Sequence, residues 1–123
     1  MKVFAVLSLA LAFSSAAQAE SVSCTLSSEG QSITVTNDFA TMEDGYMFND
    51  ATDYVYDLSH SLEGNCTETA CDLFTTLASL KMEDEFSQYS FEFPRGKKAN
   101  VLKKTINHKR DNRIYEMSCD YQP

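Results

Sequence analysis

Gln88-Tyr89-Ser90-Phe91-Glu92-Phe93-Pro94-Arg95-Gly96 decides the fold class of this chain. Aromatic and polar side chains alternate through the first six residues, and a Pro-Arg-Gly sequence then stops the run. Successive side chains of a β-strand point to opposite faces, so the alternation predicts a strand with one buried face. Toward the C-terminus the same pattern continues. Val101 to His108 reads as the next strand, Asp111-Asn112 as a turn, and Arg113 to Tyr121 as a closing strand. That last strand places Tyr115, Met117, Cys119 and Tyr121 on one face.

Working back from residue 88, the pattern is weaker in the middle and clear again near the start. Val22, Cys24 and Leu26 alternate with Ser21, Ser23 and Thr25, and Ile33 and Val35 alternate with Ser32, Thr34 and Thr36. Ser27-Ser28-Glu29-Gly30 supplies the turn between them, which predicts a hairpin. Tyr54, Tyr56, Leu58, His60 and Leu62 fit one face of a single extended segment. Residues 63–72 read as a loop. Leu73, Phe74, Leu77 and Leu80 fall at helical spacing, with Asp72 in N-cap position, and predict one short helix. The expected fold is mainly β: a small antiparallel β-sandwich or barrel with at most one short helix, stabilised by disulfides.

The first nineteen residues differ from the rest. Lys2 precedes an apolar run from Val3 to Phe13, and small residues lead to Ala17-Gln18-Ala19. This is the order of a cleavable, bacterial-type signal peptide, and the run is too short to span a bilayer as a helix. Ser21 stands three residues before Cys24, where a lipoprotein signal normally carries Leu. The expected organisation is a signal peptide at residues 1–19 and one exported domain at residues 20–123, periplasmic or extracellular, with no membrane span.

An exported domain with an even number of cysteines reads as a disulfide framework. Cys24, Cys66, Cys71 and Cys119 allow three pairings; the expected one joins Cys24 to Cys119 and Cys66 to Cys71. The first closes a loop of about 95 residues, for which chain entropy gives roughly 4–5 kcal/mol; the second closes a short loop with about 2 kcal/mol at most. A zinc site is the competing reading. Cys66 and Cys71 have a suitable spacing, but Cys24 and Cys119 do not form a second ligand pair. No metal or cofactor is expected.

Charge is distributed unevenly. From Glu20 to Pro94 there are fifteen acidic residues and a single basic one, Lys81. The remainder carries eight basic residues, Arg95, Lys97, Lys98, Lys103, Lys104, Lys109, Arg110 and Arg113, against three acidic ones. These eight are the candidate anion-binding residues. Their bland alternative is a hairpin that neutralises neighbouring acidic strands. Lys103 and Lys104 are adjacent, so a strand sends them to opposite sides and splits the patch. With a net charge of −8 the chain repels nucleic acid. Glu43, Asp44, Asp50, Asp53 and Asp57 lack the spacing of a calcium loop and read as solvated.

No catalytic set emerges. His60 lies on an apolar stripe and reads as structural, and His108 reads as exposed. Ser59 and His60 point apart in a strand, so Ser59 is not activated by its neighbour. Carboxylates are plentiful, but no spacing selects a pair for glycoside hydrolysis, and Glu83-Asp84-Glu85 reads as a solvated run. The leading expectation is therefore a non-enzymatic binding or inhibitory domain. Its partner would be a protein or an anionic glycan or lipid of the envelope or exterior, a basic secreted enzyme being one concrete case. The alternatives are a small carboxylate-dependent glycan hydrolase and a polyanion or envelope-surface binder that uses the basic hairpin 95–113.

Overall fold

The computed structural model describes residues 20–42, 45–79, 86–108 and 112–123. Eight strands follow one another: β1 (Ser21–Ser28), β2 (Gln31–Asp38), β3 (Tyr46–Val55), β4 (Leu58–Cys66), β5 (Ala70–Ser79), β6 (Phe86–Pro94), β7 (Ala99–His108) and β8 (Arg113–Gln122). A short 3-10 helix, Phe39–Thr41, joins β2 to β3, with Asp38 accepting from the Ala40 amide at its start. The strands form two four-stranded antiparallel sheets, ordered β2-β1-β8-β7 (sheet A) and β3-β4-β5-β6 (sheet B). Chain neighbours stay spatial neighbours, and β8 returns to pair with β1. The fold is the mainly β, two-sheet architecture that period-two alternation predicts.

The inner faces pack against each other as two continuous groups. Val22, Cys24, Val35, Cys119 and Tyr121 of sheet A meet Leu62, Cys66, Cys71, Leu73, Phe91 and Phe93 of sheet B. Toward the other end, Leu26, Ile33, Ile106, Tyr115 and Met117 meet Val55, Leu58 and Leu77. Buried Asn37 ties the sheets together by donating to the Leu62 carbonyl at 2.9 Å. Cys24 lies opposite Cys119 across β1 and β8, and Cys66 opposite Cys71 across β4 and β5; each pair is disulfide-bonded.

Three local readings are corrected. Residues 73–79 are strand rather than helix: Leu73, Thr75 and Leu77 point inward while Asp72, Phe74, Thr76 and Ala78 point outward. Two residues hid the alternation. Thr75 is polar yet completely buried, and Phe74 is aromatic yet on the outer face. Leu80, the last residue of the expected helix, lies outside the described residues. The expected loop 63–72 is a strand pair with only Thr67–Thr69 between, because β4 and β5 stay in register to Cys66 and Cys71. At Gly64 in that pair a Cβ would lie 2.5 Å from the Asp72 carbonyl oxygen and 2.6 Å from Leu73 Cα, so only glycine fits.

The extended segment expected over residues 54–62 is broken by a hairpin turn at Tyr56-Asp57, where Val55 pairs with Leu58. Tyr56 has φ +56°, a conformation that carries no glycine or asparagine signal here. Its ring is held in place instead. The Arg113 guanidinium stacks on it at 3.7 Å, its hydroxyl donates to Glu29 at 3.0 Å, and Tyr115 meets it edge-on.

Candidate functional site

Side chains that face outward on sheet B form an acidic surface. One row runs across all four strands in register: Tyr46 on β3, Asn65 on β4, Asp72 on β5 and Glu92 on β6. The next row holds Glu63, Phe74 and Ser90. Asp72 and Glu92 are directly opposed and both exposed. A depression of about 590 Å³ opens over this end of the sheet, between Asn65, Thr67, Ala70, Asp72, Glu92 and Pro94. Tyr46, 41% exposed, donates its hydroxyl to Glu63, and that bond raises the tyrosine pKa above its usual value. No lysine or arginine occurs in β3, β4, β5 or β6, so nothing on these strands offsets the carboxylates.

Among the described residues, the basic candidates do not form one patch. Arg95, at the β6–β7 turn, is committed to an internal network. Its Nε and a terminal nitrogen grip the Glu20 carboxylate at 3.0 and 2.5 Å, its other terminal nitrogen donates to the Thr67 carbonyl at 2.6 Å, and it lies over the Phe39 ring. Tyr121 also donates to Glu20, while its own oxygen accepts from the Gly96 amide at 2.7 Å. The Arg95 hydrogen bonds hold the Glu20 carboxyl below its ordinary value, whereas burial, followed by the bond to Glu20, raises the Tyr121 hydroxyl. Arg113 lies at the opposite end of the sandwich, bonded to Glu29 at 3.1 Å and stacked on Tyr56.

Lys97, Lys98, Lys103 and Lys104 are exposed on the turn after β6 and along β7. Lys103 sits opposite Ser118 on the outer face of sheet A. Lys104 sits opposite buried Met117, on the core-facing row, with its ammonium 5.9 Å from the centre of the Tyr89 ring. Lys109 and Arg110 lie outside the described residues, as do residues 1–19, Glu43, Asp44, Lys81, the run Glu83-Asp84-Glu85 and Asp111. No sequence signal marked Glu20 or Tyr121 as partners of Arg95, since 75 and 26 residues of chain separate them from it along the sequence.

His60 is completely buried, as its place on the apolar stripe implies. Its Nε2 lies 2.6 Å from Thr75 Oγ1, and Thr75 donates in turn to the Ser61 carbonyl at 2.9 Å. Nδ1 is buried without a hydrogen-bond partner among the described residues. Burial pushes the His60 pKa down to about 4, so the ring is neutral at pH 7. Ser59 points away and bonds the Ala78 carbonyl at 3.3 Å. His108 is half-buried rather than exposed, edge-on to Tyr115. Asp57 accepts from Ser79 at 3.5 Å. Among the described residues, no three His, Cys, Asp or Glu side chains converge as a metal site would require, and no helix is long and apolar enough to cross a membrane.

No protein-family model, curated protein or solved structure matches the chain.

Proposed function

We propose that this chain is an exported, non-enzymatic binding or inhibitory domain that docks a basic protein on the outer face of sheet B. The observation that carries the reading is the opposed pair Asp72 and Glu92, in a sheet whose four strands contain no lysine or arginine. Like charges directly opposite one another in a sheet are unfavourable, and a lysine or arginine seated between them removes that repulsion. The face also offers Tyr46 beside Glu63, and half-buried Phe74 one row away. Aromatic anchors inside a charged surround are the usual composition of an interface centre. A field of one sign over the whole sheet steers a cationic partner during encounter. Two disulfides suit an oxidising compartment, and the order of residues 1–19 supports export to the periplasm or exterior.

Titration of the oxidised protein with the basic fraction of envelope and culture-supernatant proteins tests the reading. The expected result is saturable binding of one partner that weakens as salt rises, and weakens at least about tenfold when Glu63, Asp72 and Glu92 are changed to Gln, Asn and Gln. Binding that ignores both salt and the triple substitution would contradict it. Glycan turnover lost on Asp72→Asn or Glu92→Gln would replace it with a hydrolase.

A further inference from the structure

We infer that the free edge of β7 accepts an acidic, extended segment of a partner polypeptide as an added strand. The inference concerns a different surface from the acidic face of sheet B and stands without it. β7 is the last strand of sheet A and pairs only with β8; its chain neighbour β6 is the last strand of sheet B. Among the described residues the two edges share no ladder, so alternate backbone N–H and C=O groups of β7 point away from β8 and into the open side of the sandwich. Such an edge is a template for another strand.

The lysines define which strand. Lys103 projects to the outer side of the sheet and Lys104 to the inner side, as their partners Ser118 and Met117 show. No flat polyanion lying on one face reaches both. A strand running beside β7 in the plane of the sheet does, because its own side chains alternate between the same two sides. Lys97 and Lys98 extend the positive charge to the turn end, and β7 itself contains no acidic residue. None of Lys97, Lys98 or Lys103 has an ion-pair partner among the described residues, and Lys104 has only the Tyr89 ring. On the inner side, Tyr89 and Leu102 are partly buried and give the added strand an apolar floor. The same charges repel the β7 edge of a second copy, so they select for an acidic strand and against self-pairing.

The test uses the oxidised protein and an end-blocked seven-residue peptide, Thr-Glu-Glu-Thr-Glu-Glu-Thr, whose adjacent glutamates fall on both sides of a strand. A second peptide of identical sequence and charge carries N-methyl groups on every backbone nitrogen, so that neither of its edges can donate to a ladder. The account expects binding of the first peptide, slower hydrogen exchange in residues 99–108, and at least about tenfold weaker binding of the methylated peptide, which loses the ladder but keeps the charge. Lys103→Glu with Lys104→Glu is expected to lower affinity by at least about tenfold. The methylated peptide, used on the unaltered protein, keeps the test valid if that variant misfolds. Equal binding of the two peptides, displacement by phosphatidylglycerol vesicles at equal charge, protection mapping to β4–β6, or no binding would each overturn the inference.

Discussion

His60 is the residue at which the core of this small domain is least comfortable. A neutral imidazole, with one nitrogen unpaired among the described residues, sits at the centre of an apolar stripe. Its pKa is near 4 in the folded chain and about 6.5 when unfolded. Below pH 6.5 the unfolded chain therefore binds more protons than the folded one. Stability is fully present above pH 6.5, falls as pH drops, and the loss is complete below pH 4, totalling about 3 kcal/mol. Urea unfolding between pH 7 and 4 checks this, and His60→Leu is expected to flatten the part of the profile above pH 4.5, where carboxylates contribute little. Gly64 makes a second demand. Gly64→Ala drives a methyl into backbone atoms of β5 that have no room to move, and is expected to cost roughly 2 kcal/mol or more, read as a lower melting temperature. At Glu20, change to Gln removes the charged partner of Arg95 and Tyr121. About 1 kcal/mol is expected, discounted for partial solvent exposure.

At the scale of the elements, the two disulfides clamp very different spans. Cys24–Cys119 joins residues 95 apart in sequence, and Cys66–Cys71 residues only five apart. Loop-closure entropy then predicts a larger loss for Cys24→Ala with Cys119→Ala, roughly 4–5 kcal/mol, than for Cys66→Ala with Cys71→Ala, about 2 kcal/mol. Paired denaturant titrations of the two double variants measure the ordering. Both cysteine pairs lie in strands, and how far each strand was readable in the sequence depended on its inner row. Residues 22–27 of β1, 32–36 of β2 and 115–121 of β8 alternate apolar and polar residues without interruption, so their faces are legible from the order of residues alone. β5 is not, because Thr75 takes an inner position to bond His60 while Phe74 takes an outer one, and the two together imitate helical spacing. The Tyr56 turn was hidden for another reason. Its left-handed backbone is supported by Arg113 and Glu29, which are remote in sequence, rather than by a local turn residue.

For the whole molecule, the sequence reveals the charge asymmetry but not its geometry. Fifteen acidic residues before Arg95 were countable; that Asp72 and Glu92 face each other across β5 and β6 required the register. The split of the basic hairpin at Lys103 and Lys104 is legible in the sequence; that Arg95 and Arg113 are spent on ion pairs at opposite ends, and that the two lysines straddle an edge, required the fold. The molecule thus presents an acidic sheet face and a basic strand edge, and these surfaces attract partners of opposite sign. The central claim is that the first of them is the docking face for a basic protein. Amide chemical-shift mapping during titration with the captured basic partner tests it most directly. The account predicts that the largest shifts fall on Tyr46, Glu63, Asn65, Asp72, Phe74 and Glu92, and that they shrink as salt is raised. Shifts concentrated on β1, β2 and β8, with the outer rows of sheet B unchanged, would contradict it.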